Sequence, residues 1–245
     1  MSFKDRFYDR YASTHLTHRK GESSLQRFRS DFRVWDKHFG RLLPPGREAR
    51  ILDVGCGQGA LVYWLHQRGY ARAEGIDVSG EQVAAAQRLG VEKISQADVL
   101  GYLGRHQDQY DALILRDVIE HFTRDQILRI LELARLALRP GGTAVIQVPN
   151  AEAPFFGRIR YGDFTHEIAF SASSLIQVLQ MTGFSNIRLG ATAPVAKSVA
   201  SLARVVLWKG VEALYRLLLF AELGGGGRIV TQGIIAAADR PLEAA

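Results

Sequence analysis

The fold is decided by the stretch Ile51-Leu-Asp-Val-Gly-Cys-Gly-Gln-Gly-Ala-Leu61. It passes from an apolar run, typical of a buried strand, through three glycines into a helix-forming segment. Glycine lets the backbone turn sharply and lets a ligand approach, and the N–H groups at the start of the helix point towards that ligand. The spacing Gly55-x-Gly57-x-Gly59 differs from the dinucleotide pattern, because its third glycine comes one residue early. The buried anion Asp53 beside the loop favours a positively charged ligand over a pyrophosphate.

Apolar runs alternate with helical patterns around this stretch. Strands are predicted at 49–54, 73–78, 93–97, 110–115, 143–148, 187–189 and 229–237. Helices are predicted at 22–40, 60–68, 79–89, 123–138 and 171–181. This alternation predicts a mostly parallel α/β sheet covered on both faces, whose ligands lie beyond the carboxyl ends of the strands.

Composition narrows the class of protein. The chain has 245 residues, 47% of them hydrophobic and 23% charged, which is enough for one domain with its own core. Its single cysteine, Cys56, excludes an intrachain disulfide and a cysteine-based zinc cluster, and it fits a reducing, cytoplasmic setting. The polar first residues predict no secretory signal, and no apolar run is long enough to predict a membrane span.

The net charge of +6 belongs to the first 50 residues, which hold 12 Lys/Arg and 6 Asp/Glu, whereas the other 195 hold 19 of each. Such a basic arm would attract phosphate, a nucleotide-linked substrate, an acidic lipid surface or nucleic acid, or else it forms a solvated helical face.

Carboxylates stand at the tips of the second and third predicted strands. Asp77, followed by Val78, could accept hydrogen bonds from ribose hydroxyls. Asp98 could meet an exocyclic amine while Val99 packs against a purine face. Both aspartates also precede helical segments, so helix capping is the alternative.

As a set, these features resemble class I S-adenosylmethionine-dependent methyltransferases. The resemblance covers about residues 49–190, and its motifs are Leu52–Gly59, Gly75–Ser79, Ala97-Asp98-Val99, Asp117-Val-Ile-Glu-His121 and Leu138-Arg-Pro-Gly-Gly142. It implies a three-layer, Rossmann-like fold with a mostly parallel seven-stranded sheet, and S-adenosyl-L-methionine as cofactor.

The resemblance also implies residue roles. The methionine part of the cofactor would lie at Gly55, Cys56, Gly57 and Gly59, the ribose at Asp77, the adenine at Asp98 and Val99, and the methyl group beside Arg116 and Asp117. Asp53 and Val78 are further candidates for cofactor binding. Arg116 departs from the family, which often has a small or apolar residue there.

Two histidines are candidates for the general base that an oxygen acceptor needs. His121 lies beside the expected methyl position. His166 lies in the loop 161–170, where Asp163 could orient it or cap a turn. A structural role for each histidine is the alternative. Asp163, His166 and Glu167 could also ligate a metal, but their spacing is loose and no second cluster supports them, so we expect no metal.

A looser likeness concerns the acceptor. About residues 110–240 are similar to bacterial methyltransferases of the ubiquinone-biosynthesis type and of polysaccharide or lipopolysaccharide assembly, through Pro149-Asn150, Asp163-x-Thr-His166, Phe170, Leu175 and Gly183-Phe184. This likeness implies methylation of a hydroxyl on a sugar or carrier-linked glycan. The alternatives are a phenolic or quinone-type acceptor, an amino-sugar N-methyltransferase, and a non-catalytic module that binds S-adenosylmethionine or nucleic acid. The missing Asn/Asp-Pro-Pro-Tyr/Phe element after the fourth strand argues against nucleic acid.

We expect a single methyltransferase domain with four parts: a basic helical lid (1–46, including Arg6, Arg10 and Tyr11), a cofactor-binding core (47–192), a helical insertion (193–228), and the last strand with its tail (229–245). The lid would exclude water. Within the insertion, 202–223 carries an apolar stripe of Trp208, Leu214, Tyr215, Leu218 and Leu219. This pattern predicts a helix pair packed on its own core. The alternatives are a cover over the acceptor, a homodimer contact and a peripheral contact with the inner membrane face.

Overall fold

A computed structural model describes residues 7, 8, 10, 23–225 and 229–242. In these residues seven strands form one sheet in the order β3-β2-β1-β4-β5-β7-β6. The strands are β1 (Ile51–Val54), β2 (Glu74–Asp77), β3 (Ile94–Gln96), β4 (Tyr110–Arg116), β5 (Leu138–Pro149), β6 (Ser185–Ala191) and β7 (Gly233–Asp239). Strands β1 to β5 pair in parallel, and β7 pairs antiparallel with both β5 and β6. The predicted mostly parallel sheet is therefore confirmed.

The helices are α1 (Leu25–Ser30), α2 (Phe32–His38), α3 (Ala60–Gln67), α4 (Gly80–Arg88), α5 (Val99–Gly104), α6 (Arg124–Ala137), α7 (Phe156–Arg160), α8 (Ala172–Met181) and α9 (Val199–Leu223), with a short 3-10 turn at Ile119–His121. Successive strand residues point to opposite faces of the sheet. In β4, Leu113 and Leu115 join one core with α6 and α8, whereas Ala112 and Ile114 join the other core with α2 and α3. Helices thus cover both faces, which gives the predicted three-layer, Rossmann-like fold.

The structure differs from the sequence predictions in several helices. The helix predicted at 22–40 is two helices, because the chain tightens at Asp31, whose N–H bonds to the carbonyl of Phe28 at 3.0 Å. Helices α5 and α7 were not predicted, since each is too short to show a clear period.

The predicted helix pair in the insertion is wrong. Residues 199–223 form one helix, α9, in which no residue is buried. Ser198 and Ser201 form a capping box at its start, and Gly224 ends it in the left-handed conformation. Gly210 does not break it, because a single glycine costs only about 1 kcal/mol in a helix interior. No helix among the described residues has the length and low charge content needed to cross a bilayer.

Candidate active site

The glycine loop between β1 and α3 needs glycine for its backbone and for its packing. Gly55, Gly57 and Gly59 have φ of 67°, 56° and 76°, in the left-handed region that side chains disfavour. A Cβ on Gly55 would lie 2.6 Å from Cγ2 of Val118, and one on Gly59 would lie 2.8 Å from Cγ1 of Val91. The loop is therefore held close to the segment that follows β4.

A cavity of about 600 Å³ opens beside this loop, at the carboxyl edge of the sheet. Helices α1 and α2, the ends of β4 and β5, and the start of β7 form its walls. Eight of the predicted site residues line it: Gly55, Cys56, Gly57, Arg116, Asp117, His121, Asp163 and His166. Asp53, Gly59, Asp77, Val78, Asp98 and Val99 are not among its lining residues. The cavity thus joins the loop to both candidate histidines.

Asp53 is a buried carboxyl group at the floor of the loop, with 2% of its surface exposed. Burial raises the pKa of Asp53 to about 7, and the positive charge of Arg116 opposes this shift. The Arg116 guanidinium itself lies 5.8 Å from the ring centroid of Trp35. A carboxyl with so little compensation suits a ligand that brings a positive charge, such as the ammonium group of S-adenosylmethionine.

The carboxylate of Asp77 ties β2 to the glycine loop. Its Oδ2 accepts the Gly57 N–H and its Oδ1 accepts the Ser79 N–H, both at 2.8 Å. Each oxygen keeps a second acceptor site, which a ribose hydroxyl could use. Burial raises the pKa of Asp77, and the two backbone N–H groups counter this effect.

Asp98 is exposed and caps α5, because its Oδ1 accepts the Gly101 N–H at 2.9 Å. The capping alternative therefore describes its observed contact. Val78 is exposed at the tip of β2, and Val99 is buried. Adenine binding by Asp98 and Val99 stays a prediction.

His121 is oriented through Thr165. The Thr165 hydroxyl donates to Asp163 Oδ1 at 2.7 Å, so its oxygen accepts from His121 Nδ1 at 2.8 Å. This arrangement puts the proton of neutral His121 on Nδ1 and the lone pair on Nε2. The Thr165 N–H also donates to Asp163 Oδ1, at 2.9 Å. Asp163 therefore acts on His121, through Thr165.

His166 is oriented by a different group from the one expected. Its Nδ1–H donates to the carbonyl of Ile159 at 3.1 Å, which leaves the lone pair on Nε2. Of the two roles considered for Asp163, orienting His166 by a hydrogen bond is not the observed one, whereas capping a turn is, because Asp163 Oδ1 accepts the N–H and the hydroxyl of Thr165. Burial lowers the pKa of His166, although the charge of Asp163 opposes this. His166 is therefore neutral near pH 7.

Glu120 is a site residue that the sequence reasoning missed. It is fully buried, and neither of its carboxyl oxygens has a hydrogen-bond partner among the described residues. Burial, assisted by the charge of Asp117, raises the pKa of Glu120 well above its usual value. Its position within the motif Asp117–His121 could have indicated that Glu120 lies at the site, but a glutamate in a sequence does not by itself indicate burial.

Glu120, His121 and His166 place potential ligand atoms within 4.8 Å of one another. Among the described residues this trio is the group whose atoms are close enough to hold a cation, whereas the cluster of Asp163, His166 and Glu167 considered from the sequence does not form such a group. The Glu167 N–H donates to the Glu120 carbonyl at 2.8 Å. A cation would need Glu120 ionised, against the burial that favours its neutral form.

Two glutamines complete the polar wall of the cavity. Gln58 and Gln232 line it, and the Oε1 atom of each is buried without a partner among the described residues. A third, Gln147, donates from Nε2 to Asp117 Oδ1 at 3.0 Å. Asp117 has φ of 57°, a strained conformation of the kind that clusters at functional sites.

Part of the expected lid lies against this site. The ring of Phe7 stacks on Phe164 with centroids 5.4 Å apart, and Tyr8 meets the ring of His121 edge-on at 6.4 Å. Burial raises the pKa of Tyr8 well above its usual value, which keeps the phenol neutral. Of the other residues predicted for the arm, Arg6 and Tyr11 lie outside the described residues.

Known proteins are similar to this chain in sequence. The family described as "Methyltransferase domain" matches residues 25–189. The chain is 32% identical over 106 residues to the ubiquinone biosynthesis O-methyltransferase of Aeromonas salmonicida (strain A449), covering 41% of this chain and 43% of that protein. It is 27% identical over 115 residues to the ribosomal RNA small subunit methyltransferase C of Alcanivorax borkumensis, covering 45% and 35%. The chain thus spans less than half the length of these relatives.

Solved structures share the fold. A methyltransferase dependent on S-adenosylmethionine from Archaeoglobus fulgidus has a TM-score of 0.63 at 18% identity, covering 97% of this chain and all of that one. Phosphoethanolamine N-methyltransferase 2 of Haemonchus contortus, in complex with S-adenosylmethionine, has a TM-score of 0.61 at 18% identity, covering 98% and 60%. These structures show the fold, and the domain match over residues 25–189 shows that the chain belongs to the methyltransferase domain family.

Proposed function

We propose that this chain transfers a methyl group from S-adenosylmethionine to a hydroxyl of a sugar or carrier-linked glycan in polysaccharide or lipopolysaccharide assembly. The observation that carries the acceptor class is the set of unpaired oxygens in the cavity: Gln58 Oε1, Gln232 Oε1 and the carboxyl of Glu120. Buried acceptors without donors are costly, and a ligand rich in O–H groups supplies those donors. A sugar offers several hydroxyls, whereas a phenol offers one and a catechol two.

The residues at the loop fit the cofactor. The buried Asp53 carboxyl suits its ammonium group, and the main chain at Gly55 and Gly57 admits close approach. The second acceptor sites of Asp77 suit the ribose hydroxyls, and Asp98 with Val99 would meet the adenine. When bound, S-adenosylmethionine supplies an electrophilic methyl group on a positively charged sulfur.

His166 is the proposed general base. Its Nε2 carries the lone pair, its pKa is lowered, and it lines the cavity. Nε2 would take the hydroxyl proton as the oxygen forms its bond to the methyl carbon, while the bond from that carbon to the sulfur breaks and the sulfur keeps the electron pair. His121, set by Thr165 and Asp163, would hold the acceptor. Alignment of the acceptor with the methyl group can supply roughly 7–11 kcal/mol of the barrier.

A phenolic or quinone-type acceptor is the second candidate. It is supported by the 32% identity to the ubiquinone biosynthesis O-methyltransferase of Aeromonas salmonicida. That similarity covers 41% of this chain and 43% of that protein, so it does not by itself identify the acceptor.

The experiment has two steps. Calorimetry with S-adenosylmethionine and with NAD should give binding heat only for the first, and a preference for NAD would overturn the cofactor assignment. Methyl transfer is then measured by mass spectrometry on nucleotide sugars, free sugars, an amino sugar and a catechol. An O-methylated sugar is expected. Methylation of the catechol alone supports the second candidate, and an N-methylated product overturns hydroxyl transfer.

A variant pair sharpens the choice of acceptor. Gln232→Leu removes one unpaired oxygen from the cavity wall and should raise KM for the sugar about tenfold, the value of one hydrogen bond to a buried group. Gln87→Leu, an exposed position on α4, is the control and should leave KM unchanged. Equal KM values in the two variants would contradict the assignment of Gln232 to the sugar.

A further inference from the structure

Helix α9 is a long helix with no buried residue. Ten large apolar side chains on it are between 44% and 86% exposed: Val199, Leu202, Val206, Leu207, Val211, Leu214, Leu217, Leu218, Phe220 and Leu223. A contiguous apolar surface of this kind marks an interaction site.

The apolar side chains share one half of the helix. At 3.6 residues per turn, all of the exposed set except Leu223 fall within a single half of its circumference, here called the outward apolar half. The other residues of that half are Ala200, Ala203, Gly210, Ala213 and Ala221. The five charged residues of α9 all lie on the opposite half: Arg204, Lys209, Glu212, Arg216 and Glu222.

The charged half carries three cations and two acids. Lys209 Nζ and Arg216 Nη2 both bond to Glu212, at 3.0 and 2.8 Å, so this acid is already neutralised within the helix. Lys209 lies at one border of the outward apolar half, and Arg204 and Glu222 lie at the other. Long basic side chains at such borders lay their stems along apolar surface and extend their charged heads beyond it. The three cations and two acids leave α9 with a net charge of +1, which favours a surface that carries anionic groups.

We propose that α9 lies along the surface of a phospholipid bilayer that contains anionic lipids, with the outward apolar half in the boundary between headgroups and acyl chains. The width of the apolar surface favours this occupant over a second copy of the chain. A contact between two helices buries a seam of about two residues in seven, and much of an apolar half-cylinder would stay in water. A bilayer surface covers the whole half, and Lys209 and Arg204 at its borders complement the phosphates.

The segment that precedes α9 is hydrogen-bonded to residues that line the cavity. Lys197 Nζ bonds to Asp31 Oδ1 at 2.8 Å and to the carbonyl of Ser30. The His38 Nε2–H donates to the carbonyl of Ala193 at 3.0 Å. Because Asp31 and His38 line the cavity, a bilayer under α9 would lie near its entrance. This placement suits an acceptor that is linked to a lipid carrier, and that point rests on the proposed function. The bilayer contact itself does not depend on the proposed function.

Vesicle flotation of the full chain tests the bilayer contact. The chain should float with vesicles of phosphatidylcholine that contain about one third phosphatidylglycerol, and less with phosphatidylcholine alone. Combining Leu207→Glu and Leu214→Glu puts two carboxylates into the outward apolar half and should lower the floated fraction about tenfold or more. Leu223→Glu makes the same change at a similarly exposed position outside that half, so flotation should stay within about twofold of the unchanged chain.

Two further measurements fix the interpretation. Calorimetry should give unchanged affinity for S-adenosylmethionine in both variants, which shows that they are folded without needing any acceptor. Failure of the unchanged chain to float with anionic vesicles overturns the proposal, and so does equal flotation of the doubly substituted chain. A dimer in light scattering that the double substitution dissociates, without flotation, would instead identify a second copy as the occupant.

Discussion

Replacing Asp53 by asparagine should remove a large pH dependence from the folding stability. In the folded chain burial raises the pKa of Asp53 from 3.8 to about 7. Between these two values the folded protein keeps a proton that the unfolded chain has released, so stability falls as the pH rises. A shift of about three pKa units corresponds to about 4 kcal/mol of folding stability. This contribution is fully present below pH 4 and fully lost above pH 7. Urea unfolding from pH 4 to pH 8 should show this slope in the unchanged chain and not in Asp53→Asn.

Cofactor binding should show the same linkage. An ammonium group beside Asp53 stabilises the carboxylate, so S-adenosylmethionine should release a proton on binding below pH 7. With a pKa near 7, the affinity should be about fivefold weaker at pH 6 than at pH 7, with close to one proton released at pH 6. Calorimetry in buffers of different ionisation enthalpy measures that proton. Asp53→Asn should abolish the release, whereas Asp125→Asn, at an exposed site on α6, should not. Equal release from all three proteins would refute the reasoning.

Three other predictions concern the base, its neighbours and the loop. His166→Gln should lower kcat about 10²- to 10⁴-fold with unchanged cofactor affinity, while the control His106→Gln leaves kcat unaltered. In the unchanged chain the fall of kcat/KM on the acid side should be centred below pH 6.5, because burial lowers the pKa of His166. Thr165→Val should reduce stability by about 1–3 kcal/mol in urea unfolding and lower kcat, and Thr165→Ser should restore both. Gly55→Ala should lower the free energy of unfolding by at least about 2 kcal/mol in thermal unfolding, since φ is 67° and the new Cβ would lie 2.6 Å from Val118. Adding Val118→Ala to that variant should restore only the part of the stability that the clash removed.

The α/β core was predictable from the sequence because its signals are local. The apolar run before Gly55, the capping pattern at Thr123 and the alternation of strands with helices each depend on neighbouring residues. Turn geometry, helix capping and side-chain periodicity act over a few residues. The order of elements and the carboxyl-edge location of Asp77 followed from these signals alone.

The candidate site was predictable only in part. The sequence placed His121 and His166 on the same edge of the sheet, but not the partner of each ring. That Asp163 reaches His121 through Thr165, and that Ile159 orients His166, depends on the path of a loop with no period of its own.

The sequence by itself determined the parallel sheet, the glycine loop and the carboxylates at the strand tips, because each of these features depends on residues that are close together in the chain. Only the tertiary structure decided that Glu120 is buried beside two histidines and that the apolar half of α9 faces outward. Burial is a property of what surrounds a side chain, and those surroundings come from residues far apart in the chain. An apolar stripe in the sequence of a helix predicts that the stripe is covered by something. The folded chain shows that no described residue buries the stripe on α9.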